Sequence, residues 1–236
     1  MPKTFLTAEW RKLIMANYAV DQKILEPYLP HQTEIDLWNG NCYVSLVSFM
    51  FLNTQVKGIR IPCHVNFEEV NLRFYVRHFS HGEWRRGVVF ISEIVPKPML
   101  AFVANTIYKE HYEAMPMRHT WQPSENNLRV EYKWKKERWH SISVNTEPVS
   151  QKMDPDGEAA FITDHYWGYT KTGEQETSEY GVEHPSWETY PIKDYNIDVD
   201  FGKLYGPSFT FLQHQKPVSV LLAEGSAVRV KGGRKL

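Results

Sequence analysis

One segment of the chain alternates apolar and polar side chains, which is the pattern of a β-strand with two different faces. It runs over residues 66–77. Its apolar side consists of Val70, Leu72, Phe74 and Val76, and its polar side consists of Glu69, Asn71, Arg73 and Tyr75. A second run over residues 87–95 follows a turn at residues 80–82. The two runs predict an antiparallel hairpin.

Most of the remaining chain shows the same period of two and is interrupted by turn residues. Further strands are predicted over residues 127–135, 138–144, 161–169, 181–188, 193–198 and 217–230. Helical signals are few and cover residues 10–16, 21–29 and 97–112. Many strands around one helix predict an α+β, mostly β fold, in which an antiparallel sheet curls into a barrel. No repeat or flexible linker divides the chain, so a single domain over residues 1–236 is predicted.

The helix predicted over residues 97–112 begins with Pro98, which suits a first helical turn. Its core face is predicted to consist of Met99, Phe102, Val103, Thr106 and Ile107. Its other face carries Ala101, Ala104, Asn105, Tyr108, His111 and Tyr112. Polar groups on that face could converge on one bound molecule and move protons. The alternative is an ordinary amphipathic helix end, with a histidine near the C-terminal dipole.

Composition excludes several classes of protein. The chain has 27 Lys+Arg against 28 Asp+Glu, so it lacks the basic surface that nucleic-acid binding requires. Cys42 and Cys63 are too few for a metal knuckle, and a reducing cytoplasm is the expected compartment. The most apolar window, residues 42–52, is too short for a membrane helix. Phosphate-loop, dinucleotide, nucleophile-elbow and His-Glu-x-x-His motifs are missing, so no cofactor or metal is expected, and a homo-oligomer stays open.

The polar side of the 66–77 strand is the first candidate site. If it faces the interior of a barrel, Arg73 needs a carboxylate partner, and the pair would recognise an anion or an amide. The alternative is a solvated outer face with ordinary cross-strand pairs.

Two further candidates lie nearer the C-terminus. His165 and Trp167 share one face of a predicted strand, either as ligand contacts or as satisfied aromatic core. Glu224 stands in an otherwise apolar strand, where a carboxylate is costly unless it is paired or protonated, so it is a candidate pocket acid. The alternative for Glu224 is a strand end before the turn residues Gly225 and Ser226.

Several motifs are spread over almost the whole chain. They are Glu9-Trp10-Arg11, Leu25-x-x-Tyr28-Leu29-Pro30 with Glu34-Ile35-Asp36, the run 66–73, Tyr108-x-x-x-Tyr112, Phe161-x-Thr163-x-x-Tyr166-Trp167 and Leu222-Ala223-Glu224-Gly225-Ser226. Together they resemble the uncharacterised bacterial YqjF-like family, which is grouped with acetoacetate decarboxylase in fold. The resemblance implies a cone-shaped antiparallel β-barrel around a buried central helix, with a cavity at its centre.

The resemblance to the decarboxylase itself is weaker. Arg11 can be placed on an arginine of that enzyme, but the enzyme's pair of adjacent lysines is missing. Two adjacent ammonium groups depress each other's pKa, which gives a neutral amine able to form a Schiff base. Here Lys109 stands beside Glu110, and no acidic residue aligns with the decarboxylase's pocket glutamates. The resemblance therefore implies a cavity without Schiff-base chemistry.

The expected function is binding of a small organic acid or carbonyl compound, with Arg11 or Arg73 at its anionic end and Tyr108, His111 and Tyr112 supplying hydrogen bonds. A first alternative is a metal-independent lyase acting on an oxo-acid, with His111 or Glu224 as acid or base. A second is a structural or interaction protein without a pocket, in which Glu69 and Arg73 lie on the outer surface.

Overall fold

The computed structural model describes residues 3–103, 105 and 111–236. The strands are β1 Thr4–Val20, β2 Glu34–Ile35, β3 Cys42–Val56, β4 Phe67–Ser80, β5 Glu83–Val95, β6 Tyr112–Ala114, β7 Met117–Pro123, β8 Leu128–Lys136, β9 Arg138–Thr146, β10 Gln151–Lys152, β11 Trp167–Lys171, β12 Thr177–Glu183, β13 Glu188–Tyr190, β14 Ile192–Asp198, β15 Ser219–Lys231 and β16 Arg234–Lys235. The α-helices are α1 Gln22–Leu25, α2 Pro98–Val103, α3 Glu158–Thr163 and α4 Phe201–Tyr205, and two 3-10 helices cover Glu26–Tyr28 and Pro207–His214. Strands dominate, as the sequence predicts.

Two sheets are formed by the described strands. In the larger sheet the hydrogen-bonded order is β10-β13-β15-β1-β3-β4-β5-β11-β12-β16, with β2 on β4 and β6 on β5. Strand β12 also pairs with β15, so the path from β15 through β1, β3, β4, β5, β11 and β12 returns to β15. The smaller sheet has the order β14-β9-β8-β7. Most neighbours are antiparallel, but β5 pairs in parallel with both β6 and β11.

The β4–β5 hairpin is confirmed, and both faces of β4 are buried. The apolar side packs into one core with residues of the smaller sheet, among them Val130, Tyr132 and Ile142. The polar side lies on the opposite face of the large sheet, beside a second core that includes Tyr75 and Phe49. The solvated outer face that the sequence also allowed is therefore not what the structure forms.

The prediction of a helix over residues 10–16 is wrong, because these residues belong to β1. Lys12 has a φ of 55°, and the pairing of β1 with β3 shifts register between Arg11 and Ile14. The segment that follows the shift is apolar on both faces, since Leu13 and Ile14 pack into different cores. A bulged strand buried on both sides has no period of two, so the sequence pattern cannot distinguish it from a helix.

The helix predicted over residues 97–112 is corrected at its C-terminal end. Pro98–Val103 form α2 and Asn105 is also helical, whereas residues 104 and 106–110 lie outside the described part of the chain. Tyr112 lies in β6, where it pairs in parallel with Glu93 of β5. The backbone N–H of Glu93 donates to the carbonyl of His111 at 2.9 Å, so the chain already follows β5 at that point. Met99 and Phe102 are each 66% exposed rather than core.

The run predicted as one strand over residues 161–169 divides into α3 and β11, and the run over 181–188 divides between β12 and β13. The other predicted strands correspond to β8, β9, β14 and β15, and the helix predicted over 21–29 corresponds to α1 with the 3-10 helix that follows it. Among the described residues no helix is long and apolar enough to cross a membrane.

Candidate functional site

A cavity of about 340 Å³ lies against the face of the large sheet that carries the polar side of β4. Most of its wall is aromatic or aliphatic, and it includes Trp10, Phe49, Phe51, Phe67, Phe90 and Trp187. Ile59, Ile61 and Met99 line it and are exposed, so the cavity reaches the surface there. Such a wall suits the carbon skeleton of a small organic molecule.

The polar part of the wall comes from adjacent strands. Glu69, Asn71 and Arg73 of β4 line the cavity with Glu93 of β5, whose register opposes Asn71. The amide nitrogen of Asn71 donates to Oε1 of Glu69 at 3.0 Å, and the hydroxyl of Tyr112 donates to Oε2 at 3.4 Å. The amide of Asn71 is thereby oriented with its oxygen turned away from Glu69. That oxygen is buried and accepts no hydrogen bond from any described residue.

Arg73 is the unusual member of this group. Arg73 is only 8% exposed, yet no carboxylate lies within 4.0 Å of its guanidinium in the described part of the chain. Its contacts are Met15 Sδ at 3.9 Å and the ring of Tyr75, whose centroid is 5.8 Å from the guanidinium carbon. Its Nε is buried without an acceptor among the described residues. A buried cation left without an acceptor is costly, and a ligand anion would remove that cost.

His165 is held between α3 and β11 by a carboxylate. Its Nε2 lies 3.2 Å from Oδ2 of Asp36, which also accepts from Nε of Arg86 at 2.6 Å. Burial would raise the pKa of Asp36, but the hydrogen bonds from His165 and Arg86 and the charge of Arg86 outweigh it and lower that pKa. Asp36 is therefore ionised at neutral pH and can only accept, so Nε2 of His165 carries the proton.

Burial and the positive charges of Arg86 and Arg73 lower the pKa of His165, while its hydrogen bond with Asp36 raises it. Burial has the largest effect, and the resulting pKa is about 4. The imidazole is therefore neutral at pH 7, and its unprotonated Nδ1 carries a lone pair that can accept a hydrogen bond. That atom is buried and has no partner in the described residues.

A second neutral histidine follows β12. Burial lowers the pKa of His184, and the charge of Arg73 acts in the same direction, while a hydrogen bond with the carbonyl of Pro185 and the charge of Asp164 oppose them. Its ring stacks on Trp187 with centroids 4.3 Å apart, and Nδ1 lies 2.9 Å from the Pro185 carbonyl. Since a carbonyl only accepts, Nδ1 of this neutral ring carries the proton.

The structure brings some of the sequence-predicted residues together in the cavity wall. These are Glu69, Asn71, Arg73, Tyr112, His165 and Trp167. Tyr75 lies behind the wall, with its hydroxyl 2.8 Å from Ser45 Oγ and its ring 4.8 Å from that of His165. Asn105 and His111 are exposed and do not line the cavity. Tyr108 lies outside the described residues.

Arg11 and Glu224 are placed elsewhere, in a half-exposed ion cluster on β1 and β15. Arg11 pairs with Glu9 at 2.6 Å and lies 3.6 Å from Glu224, which is also paired with Lys12 and Tyr190. Glu224 is therefore a paired surface carboxylate, which contradicts its expected position in the pocket. The reason is the register of β15 on β1, which places Glu224 opposite Lys12.

Sequence reasoning missed Glu93 and His184 as wall residues. A glutamate within the apolar run 87–95 is the same signal that singled out Glu224, so Glu93 could have been found. His184 has no comparable signal, because its position depends on the fold of the loop after β12. No three described His, Cys, Asp or Glu residues lie close enough together to hold a metal ion.

Titration of His165 makes stability depend on pH. The unfolded chain binds a proton near the ordinary pKa of 6.5, but the folded protein binds it only near pH 4, so acid favours unfolding between these values. We expect stability to fall by on the order of 3 kcal/mol from pH 6.5 to pH 4 through this residue. In urea unfolding measured across this pH range, the free energy of unfolding of His165→Gln should fall less steeply than that of the wild type. The exposed His31→Gln is the control, and equal slopes in wild type and His165→Gln would contradict the assignment.

Comparison with solved structures defines the type of fold. Acetoacetate decarboxylase from Legionella pneumophila superposes with a TM-score of 0.65 at 12% identity, over 98% of this chain and 87% of that one. The enduracididine biosynthesis enzyme MppR complexed with pyruvate superposes with a TM-score of 0.65 at 14% identity, over 100% of this chain and 91% of that one. The protein is thus mostly β with an acetoacetate-decarboxylase-like fold.

Within that fold, the chain belongs to the family DUF2071, described as an uncharacterized conserved protein, whose match covers residues 7–227. The uncharacterized protein YqjF of Bacillus subtilis (strain 168) is 25% identical over 166 residues. The alignment covers 68% of this chain and 65%, slightly under two thirds, of the relative. The YqjF resemblance is therefore confirmed.

Proposed function

We propose that this protein binds a small, partly apolar carboxylate in the cavity, with the carboxylate against Arg73 and the carbon skeleton against the aromatic wall. The observation that carries the proposal is the buried guanidinium of Arg73, which lines the cavity without a carboxylate among the described residues. A fork of N–H donors matches the geometry of a carboxylate. The pyruvate complex of MppR supports the proposal, because it is an oxo-acid bound to a protein of the same fold.

In this proposal the chain is a single domain whose large sheet forms a barrel around the ligand. The protein would work in the reducing cytoplasm, which is consistent with its two free cysteines. The pairing of β12 back onto β15 supports such an enclosure. The alternative of a protein without a pocket placed Glu69 and Arg73 on the outer surface, whereas both are buried beside the cavity.

A metal-independent lyase acting on an oxo-acid is the second candidate. It is favoured by the carboxylates of Glu69 and Glu93 and the imidazole of His165, which line the same cavity as Arg73. In this version those groups would replace His111 and Glu224 as acid and base, because both of the latter lie outside the cavity wall.

Matched ligands test the binding function. We expect thermal-shift screening of C4 to C8 aliphatic and aryl carboxylates to identify binders, and isothermal titration to show that each binds more tightly than its neutral amide. A charge-assisted hydrogen bond is worth about 1.5–3 kcal/mol, so the difference should be about tenfold to hundredfold. If no carboxylate binds, or if the amides bind equally well, the proposal fails.

A further inference from the structure

The cavity wall contains hydrogen-bond acceptors that a simple carboxylate would leave unused. Oδ1 of Asn71 and Nδ1 of His165 are both buried, and neither has a donor among the described residues. Both residues line the cavity and are at least nine-tenths buried, with exposures of 1% and 6%. Buried polar atoms in native proteins are nearly always satisfied, so two unsatisfied acceptors in one cavity indicate donors on the bound molecule.

The protonation of His165 is fixed by its surroundings. Its Nε2 side is occupied by Asp36, and the rings of Tyr75 and Phe161 pack against it at centroid distances of 4.8 and 5.1 Å. Asp36 is held in turn by Arg86 and by its own backbone N–H, which donates to the carbonyl of Tyr75 at 2.9 Å. Nδ1 is thus the one polar ring atom left to a ligand, and it can only accept.

The carboxylate site and these acceptors are close together. Tyr75 contacts both Arg73 and His165, and Asn71 and Arg73 project from the same side of β4. The charge of Arg73 also influences the titration of His165 and of His184. We therefore expect the donor on the ligand to stand near its carboxylate. A hydroxyl needs no counter-charge there, whereas an ammonium group would be repelled by Arg73 and attracted by Glu69 and Glu93, so the two donors are compared in the test below.

We propose that the ligand is a 2-hydroxy carboxylate, whose carboxylate is held by Arg73 and whose hydroxyl donates a hydrogen bond to Nδ1 of His165. This inference rests on the proposed function, since it assumes that a carboxylate occupies the cavity. It adds that His165, fixed by Asp36, determines specificity by accepting from the hydroxyl. A deoxy analogue leaves Nδ1 of His165 unsatisfied, and a 2-oxo analogue offers it only another acceptor.

Five probes with one carbon skeleton test the inference by isothermal titration. They are the two enantiomers of 2-hydroxy-4-methylpentanoate, 4-methylpentanoate, 4-methyl-2-oxopentanoate and leucine. We expect one hydroxy enantiomer to bind about tenfold or more tightly than the deoxy and oxo acids. Equal binding of the hydroxy and deoxy acids would overturn the hydroxyl assignment and leave the carboxylate site intact. If leucine binds most tightly, the donor that the wall recognises is an ammonium group and the hydroxyl assignment is wrong. If none of these probes binds and the carboxylate screen also fails, both proposals are wrong.

Variants assign the effect to His165. His165→Phe removes the acceptor and keeps a flat ring, so it should bind the hydroxy and deoxy acids with nearly equal affinity. The control His31→Phe, at an exposed histidine, should keep the full preference. If His165→Phe also keeps the preference, the role of His165 is wrong.

A spectroscopic measurement on the wild-type protein covers the case in which His165→Phe does not fold. In ¹⁵N NMR at pH 7, Nδ1 of His165 should resonate as an unprotonated imidazole nitrogen and Nε2 as a protonated one. The hydroxy acid should shift Nδ1 upfield as it accepts a hydrogen bond, and 4-methylpentanoate should not. A protonated Nδ1 in the free protein would contradict the inference.

Discussion

Replacing Arg73 with methionine should stabilise the ligand-free protein and remove its affinity for carboxylates. Methionine has a similar length and suits the largely apolar wall, whereas the guanidinium is buried without a carboxylate among the described residues. Exchanging buried ion pairs for hydrophobic side chains of similar volume is often neutral or adds about 1–4 kcal/mol to the free energy of unfolding, and an unpaired buried charge favours the gain. Loss of the charge-assisted hydrogen bonds should weaken carboxylate binding about tenfold to hundredfold.

Urea unfolding without ligand and isothermal titration with the best carboxylate measure the two effects. Arg11→Met is the matched control, because it removes an arginine that pairs with Glu9 outside the cavity wall. It should lower stability by no more than about 1 kcal/mol and leave binding unchanged. If Arg73→Met destabilises the ligand-free protein by several kcal/mol, then Arg73 has a structural role and is not a site kept for a ligand.

The second large effect is expected at Gly225, which opposes Arg11 beside the bulge of β1. Its φ is +79°, and a Cβ there would lie 1.9 Å from the carbonyl oxygen of Trp10 and 2.8 Å from Cδ1 of Leu13. Gly225→Ala therefore combines a left-handed backbone with a clash that rigid strands cannot relieve. We expect a loss of about 3–5 kcal/mol in the free energy of unfolding.

Gly58 separates the two contributions, because its φ is +80° and no described atom lies within 4 Å of a Cβ built there. Gly58→Ala should therefore cost only the backbone strain of about 1–2 kcal/mol. Since Trp10 and Leu13 line the cavity, Gly225→Ala should also weaken ligand binding, and Gly58→Ala should not. Similar losses of stability in the two variants would show that the close approach of β15 to β1 is not a constraint.

The sequence could predict which side chains share one face of a strand, because that depends only on the alternation along the strand. Alternation along β4 placed Glu69, Asn71 and Arg73 on one face, and the structure brings them to the cavity together. It could not determine whether that face is buried, because burial depends on strands and loops that are distant in sequence. The carboxylate expected beside Arg73 is not found among the described residues, and this difference is the basis of the functional proposal.

Positions near irregular backbone could not be predicted. The left-handed Lys12 breaks the alternation of β1 and supplies the ion pair that removes Glu224 from consideration as a pocket acid. Tyr112 was expected on a helix because its neighbours have helical spacing, but a parallel pairing with Glu93 places it in a strand. Tyr112 still reaches the cavity, whereas His111 does not. Pairings between strands that are distant in sequence thus decide which of the predicted residues can contact a ligand.

The central claim is that Arg73 holds the carboxylate of the ligand. The most direct test is a cycle of four titrations, in which wild type and Arg73→Met each bind the best carboxylate and its neutral amide. The preference for the carboxylate should be about tenfold to hundredfold in wild type and should nearly vanish in Arg73→Met, while Arg11→Met keeps it. A preference that survives unchanged in Arg73→Met would contradict the account.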